Sequence, residues 1–155
     1  MKNWKIMFPV ILSAVIAATI FVPEGGMTQT DALLFKDHQV VEVRPLEVPL
    51  NVAAPEHAGR DLANETVYQI MRYSDKFNLF DMVIMEGAHK VPAGKKVLLV
   101  TGTITAYSSK GTCATTWQFV DKASGQVLHE TEAKGFTFRV ANYIARVIYM
   151  YKVGK

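Results

Sequence analysis

Four histidines and one cysteine are the side chains of this 155-residue chain best suited to bind a metal ion or to form a nucleophile with its base. They are His38, His57, His89, His129 and Cys113. No two histidines have the H-x-x-x-H spacing that lets neighbouring side chains bind one zinc ion. We therefore expect solvated surface histidines, no metal site and no cofactor.

A cysteine nucleophile would need a histidine beside it, and a β-hairpin could bring one from the facing strand. If 121–125 is the hairpin loop, paired positions sum to roughly 246. This register places Cys113 opposite residue 133 and places His129 opposite Trp117. Cys113 then gains no base, and we expect a buried, unreactive thiol.

Other catalytic motifs are also missing from the sequence. It contains no G-x-S-x-G turn for a serine nucleophile and no glycine-rich phosphate-binding loop. Asp81 and Glu86 flank an apolar stretch, so we expect them at the two ends of a strand in water. The sequence thus predicts no catalytic residue and no enzyme.

The first 26 residues have the pattern of an export signal. Lys2 and Lys5 precede an uncharged apolar run over 6–22, and Glu24 follows it. This order predicts a signal peptide or membrane anchor with the rest of the chain in the bacterial periplasm or cell envelope. Cleavage after Ala18 and retention as an anchor of roughly 17 residues, the lower limit for a bilayer span, both stay open.

Composition limits the remaining function classes. The net charge is +3, and without the first 26 residues it is about +2, too little to indicate a nucleic-acid partner. A single cysteine excludes an internal disulfide framework. About 130 residues after the leader are enough for one domain with a modest core.

We assign 27–38 to a tether and 39–155 to a single domain. Alternating apolar residues over 39–44 predict a short strand, and the prolines after it favour an edge position or an extended lead-in. Apolar residues at three- and four-residue spacing predict helices over 60–77, ended by Asn78, and over 138–151.

Four further strands are predicted, the last three linked by hairpin turns. They cover 80–85, 96–108, 112–120 and 126–133. Gly102 lies alone inside the second of these, where we expect a bulge or a closely packed neighbour. The sequence therefore predicts an α+β fold, with an antiparallel-rich sheet of four to five strands and two helices packed on one face.

Two stretches resemble a known family: VLLVTGTITAY at 97–107 and FVDKASGQVL at 119–128. They are similar to a motif of small bacterial envelope proteins, mostly lipoproteins of unknown function. That resemblance implies a fold similar to the periplasmic domain of the curli secretion channel and to lipoprotein activators of peptidoglycan synthases. The lipid-attachment cysteine usual in that family is absent here, and the family supplies no catalytic residues.

These observations predict a non-enzymatic envelope protein that binds an envelope protein or a peptidoglycan-associated partner. The alternative is a periplasmic protein that binds a small ligand. A free sheet edge or an exposed apolar patch would favour the first function, and a deep apolar pocket with a few polar groups would favour the second.

Overall fold

The structure, a computed structural model, describes residues 33–154. The predicted leader therefore lies outside the described residues. Neither helix within 33–154 is long and apolar enough to cross a membrane. The elements in chain order are β1 (Val40–Val43), α1 (Ala58–Phe77), β2 (Met82–Met85), β3 (Val97–Tyr107), β4 (Thr112–Asp121), β5 (Val127–Phe136) and α2 (Thr137–Val153).

The five strands form one sheet in the order β2-β1-β3-β4-β5. β1 runs parallel to both β2 and β3, whereas β3, β4 and β5 are joined by antiparallel pairing. The α+β class is confirmed, but the sheet is mixed and the prediction of an antiparallel-rich sheet is wrong. α1 accounts for the parallel β1–β2 pair, because a helix that carries the chain back along the sheet makes the next strand run parallel to the previous one. The connection over 86–96 carries the chain back again, so β3 also runs parallel to β1.

β1 is a central strand, so its predicted edge position is also wrong. The prolines do not interrupt its ladder, because the first of them, Pro45, follows the strand. Arg44 N–H donates to the Val100 carbonyl at 2.9 Å, and Glu47 N–H donates to the Gly102 carbonyl at 3.0 Å. The missing N–H of Pro45 therefore lies between two hydrogen bonds to β3.

Both helices contribute to one hydrophobic core with the inward-facing side chains of the sheet. On β4 the alternation is clear: Trp117 and Phe119 are fully buried, while Thr116 and Gln118 between them are exposed. One face of the sheet is thus covered by the helices. We call the other face, which carries Thr116 and Gln118, the open face.

Two glycines allow backbones to approach closely. A Cβ on Gly102 would lie 2.4 Å from the carbonyl oxygen of Thr116, and a Cβ on Gly59 would lie 2.0 Å from the carbonyl oxygen of Leu46. Both distances are far below van der Waals contact. The close neighbour expected at Gly102 is therefore confirmed.

The residues before β1 are packed against the domain. Phe35 is fully buried beside Phe119 and Tyr151, with ring centroids 5.3 and 5.4 Å away. Its N–H donates to the Tyr151 carbonyl at 3.1 Å, near the end of α2. Phe35, within the range predicted to be a tether, therefore belongs to the core.

Candidate functional site

The open face of the sheet carries an open trough of about 540 Å³. Threonine side chains from β3 and β4 form its floor, and carboxylates border it. The lining side chains that face it are Thr101, Thr103, Thr116, Gln118, Glu47, Glu130 and Glu132. This composition is polar and acidic, unlike the enclosed apolar pockets that hold most small ligands.

A buried carboxylate lies beside this trough, on β1. Glu42 is only 3 % exposed and pairs laterally with Ile84 on β2 and Leu99 on β3. The Lys122 ammonium donates to Glu42 Oε2. Since an unpaired buried charge is costly, this lysine is what allows a carboxylate at the centre of the sheet.

A second buried polar pair joins the chain before β1 to the end of β4. His38 is 1 % exposed, and its Nε2 lies 3.0 Å from Asp121 Oδ1. A carboxylate can only accept, so Nε2 donates. Ser124 donates to Asp121 Oδ2 through its hydroxyl, at 2.7 Å, and through its N–H, at 3.1 Å.

The order of the three side chains in this network decides whether it could act as a catalytic triad. In a catalytic triad the imidazole lies between the carboxylate and the hydroxyl and removes the hydroxyl proton. Here Asp121 lies between His38 and Ser124, so the imidazole cannot act on the hydroxyl. The network therefore fixes the hairpin loop to the chain before β1.

We predict that this network makes the domain less stable in acid. Burial lowers the pKa of His38 from its ordinary 6.5, and the Ser124 hydroxyl bond lowers the pKa of Asp121 from 3.8. At acidic pH the unfolded chain therefore binds more protons than the folded chain, and protonation favours unfolding. The contribution of neutral His38 to the free energy of unfolding is complete above pH 6.5 and is lost as the pH falls through its pKa in the folded chain. The contribution of ionised Asp121 is lost in the same way at lower pH.

Urea unfolding across neutral to mildly acidic pH measures this effect. We expect His38→Gln to flatten the decline in the free energy of unfolding over the pH range in which histidine titrates. His89→Gln, at an exposed site, should leave that decline unchanged. Equal slopes in the parent and His38→Gln chains would contradict the prediction.

The prediction of surface histidines is thus wrong for His38, and His129 is half-buried. The His129 ring lies 4.5 Å from the Tyr151 ring and 5.8 Å from the Phe119 ring. Burial lowers the pKa of His129. His57, immediately before α1, and His89 are exposed. Among residues 33–154 no group of three potential ligands could hold a metal ion.

Cys113 is buried, and burial raises the pKa of its thiol. The observed register pairs Cys113 with Gly135 and His129 with Phe119, so the register predicted for this hairpin is wrong by two residues. One residue of this shift comes from a bulge near Phe119 and Val120, which a loop length alone does not reveal, and the other arises at the loop itself, since Val120 pairs with Val127. The conclusion that Cys113 has no histidine partner across the hairpin is unchanged.

Asp81 and Glu86 do not form a carboxylate pair, since each has a basic partner of its own. The Lys95 ammonium donates to Asp81 at 2.8 Å. Arg44 donates twice to Glu86, at 2.6 and 2.8 Å. These bonds leave neither carboxylate arranged for acid–base work with the other.

The remaining feature is the free edge of β5, which has no neighbouring strand among the described residues. Its ten residues end in Phe136, which is 45 % exposed, and Phe138 follows at 54 % exposed. The two rings are nearly parallel, with centroids 6.5 Å apart. We call β5 together with Phe136 and Phe138 the edge patch.

The sequence predicted a strand over 126–133, which covers most of β5, but not its place in the sheet. A sequence pattern does not reveal which strand ends a sheet. The burial of His38 depends on Asp121, which is distant in the chain, and no local signal marks that pairing.

Comparison with known proteins gives structural alignments only. No family model matches the chain, and no curated protein matches it. A PelC dodecamer from Paraburkholderia phytofirmans aligns at 16 % identity and TM-score 0.45, over 80 % of this chain and 90 % of that one. A DUF330 protein from Xanthomonas campestris aligns at 6 % identity and TM-score 0.45, over 76 % and 85 %. Lipoprotein GNA1162 from Neisseria meningitidis aligns at 15 % identity and TM-score 0.38, over 71 % and 94 %.

Proposed function

We propose that this chain is a non-enzymatic bacterial envelope protein that binds another envelope macromolecule through the edge patch. The free edge of β5 is the observation that carries the proposal. An edge strand offers unpaired N–H and C=O groups to an extended segment of a partner. Exposed aromatic rings beside such an edge are the side chains that most often dominate binding energy.

The charged residues along β5 limit what can pair there. Glu130, Glu132 and Lys134 project from the exposed side of the strand, and charges of this kind discourage indiscriminate pairing of edges. A partner must therefore match these charges as well as cover Phe136 and Phe138. Specific recognition of one partner fits this surface better than general adhesion.

The envelope placement in this proposal comes from the leader of residues 1–26 and from the motif that resembles envelope lipoproteins. The rival function, binding of a small ligand, has less support. The trough of threonines and glutamates is open to solvent and bordered by carboxylates, unlike the enclosed apolar pockets that hold most small ligands.

Photo-crosslinking in bacterial envelopes tests the proposal. We expect a photoreactive phenylalanine at position 136 or 138 to give one discrete adduct, and the same residue at exposed position 90 to give none. Phe138→Ser should reduce capture of the adduct partner at least about tenfold without changing the melting temperature. Leu50→Ser, at a fully exposed leucine, is the matched control.

Two results would contradict this function. One is capture that Phe138→Ser leaves unchanged. The other is the absence of any macromolecular adduct, combined with a metabolite that raises the melting temperature by several degrees, which would favour the small-ligand function.

A further inference from the structure

The outer surface of the helix layer combines cations with exposed aromatic rings. Tyr73 and Phe77 of α1 contact Tyr149 of α2, with ring centroids 5.8 and 4.7 Å from it. A groove of about 290 Å³ runs beside them between the helices. We call this surface the helix face; its residues are Tyr68, Arg72, Tyr73, Lys76, Phe77, Asn142, Arg146 and Tyr149.

The cations of the helix face lack carboxylate partners. Arg72, Lys76 and Arg146 are exposed, and none forms an ion pair within residues 33–154. Arg72 lies 6.0 Å from the Tyr68 ring centroid, and Lys76 lies 5.1 Å from that of Phe77. α2 contains no acidic residue at all. α1 contains three acidic residues, Asp61, Glu65 and Asp75, against six basic residues in the two helices together, so the helix layer has a net positive charge. The trough on the opposite side of the domain is acidic.

The chain enters the domain beside the C-terminal end of α2. Phe35 N–H bonds to the Tyr151 carbonyl near the end of α2. Residues 23–34, which separate the predicted membrane segment from Phe35, can span at most roughly 40 Å. A retained leader would thus keep the C-terminal end of α2 within that distance of the bilayer.

We infer that the helix face docks on an anionic lipid surface. Aromatic rings at headgroup level with arginine and lysine beside them are the composition of interfacial protein surfaces. The cations gain the attraction of anionic headgroups, and the rings cover the apolar boundary beneath. This inference rests on the membrane placement in the proposed function.

Site-specific quenching in reconstituted vesicles tests it with the full chain. A fluorescent label is placed on Tyr68→Cys, or on Thr116→Cys on the open face as the comparison. Because the thiol of Cys113 is buried, the parent chain serves as the labelling blank. The vesicles contain phosphatidylcholine with or without phosphatidylglycerol, and a spin-labelled lipid as the quencher.

We expect lipid quenching at position 68 to exceed that at position 116 only with phosphatidylglycerol, and to fall as salt is added. Changing Arg72, Lys76 and Arg146 to glutamine should reduce the docked fraction relative to the free fraction at least about tenfold. The matched control changes Lys90, Lys110 and Lys134 to glutamine and should retain docking.

The failures are distinguishable. Flotation on a density gradient shows whether the chain is held by the vesicles at all. A chain that floats with neither kind of vesicle would overturn the membrane placement and this inference with it. A chain that floats with both, yet shows equal quenching at positions 68 and 116, would overturn the lipid inference alone. Binding of soluble poly-glutamate without any response to phosphatidylglycerol would assign the face to an acidic protein and would likewise overturn the lipid inference.

Discussion

Replacing Gly59 by alanine should lower the free energy of unfolding by about 3 kcal/mol. Helix propensity alone would predict the opposite direction, since alanine is about 1 kcal/mol more favourable than glycine in an exposed helix interior. The added Cβ would lie 2.0 Å from the Leu46 carbonyl oxygen. A backbone oxygen cannot rotate away as a side chain can, and Leu46 N–H is itself bonded to the Gly59 carbonyl at 3.2 Å.

Equilibrium unfolding in urea measures this change. Asn64→Ala, at an exposed position of the same helix, is the matched control and should change stability by less than about 0.5 kcal/mol. Gly102→Ala should also destabilise the domain, since its Cβ would meet the Thr116 carbonyl at 2.4 Å. Equal stability of Gly59→Ala and the parent chain would mean that α1 does not press against residue 46.

The second large effect concerns Lys122, which we expect to stabilise the domain by neutralising Glu42. Lys122→Met should cost about 3 kcal/mol, because it leaves a carboxylate that is 3 % exposed without its counter-charge. The lysine itself is partly exposed, and water can reach its side of the pair. The loss should therefore be at the lower end of the range for buried ion pairs.

A double-mutant cycle separates the charge from the packing. Combining Lys122→Met with Glu42→Leu should recover most of the loss, since leucine can pack against Ile84 and Leu99. Lys95→Met breaks an exposed pair with Asp81 and should cost less than about 1 kcal/mol. If the double variant lost the sum of the two single losses, Lys122 would not stabilise the domain by neutralising Glu42.

Local patterns in the sequence predicted most of the elements. The apolar spacing over 60–77 and 138–151 corresponds to α1 and α2, and Asn78 adopts the left-handed conformation that ends α1, with φ 51°. The strands were also found, because alternation and turn residues are properties of neighbouring residues. The type and the approximate bounds of each element could therefore be predicted from its own residues.

The contacts between elements that are distant in the sequence could not be predicted in this way. The parallel position of β1 depends on where α1 returns the chain, and the burial of His38 depends on Asp121. The bulge beside Val120 moved the β4–β5 register without changing the pattern of either strand. The edge patch follows from the strand order, which no local pattern reveals.

The central position of β1 has a consequence for the order of folding. β3, β4 and β5 are consecutive in the chain and can pair through short turns, which makes their association fast. β1 has no local partner; it must fit between strands that begin at Met82 and Val97, and it closes large chain loops when it does. We therefore expect β1 to enter the sheet last, even though an exported chain would deliver it first. Until that step, β3 would expose the edge that β1 later covers and β2 would have no strand neighbour, so the newly exported chain would be at its most vulnerable to aggregation.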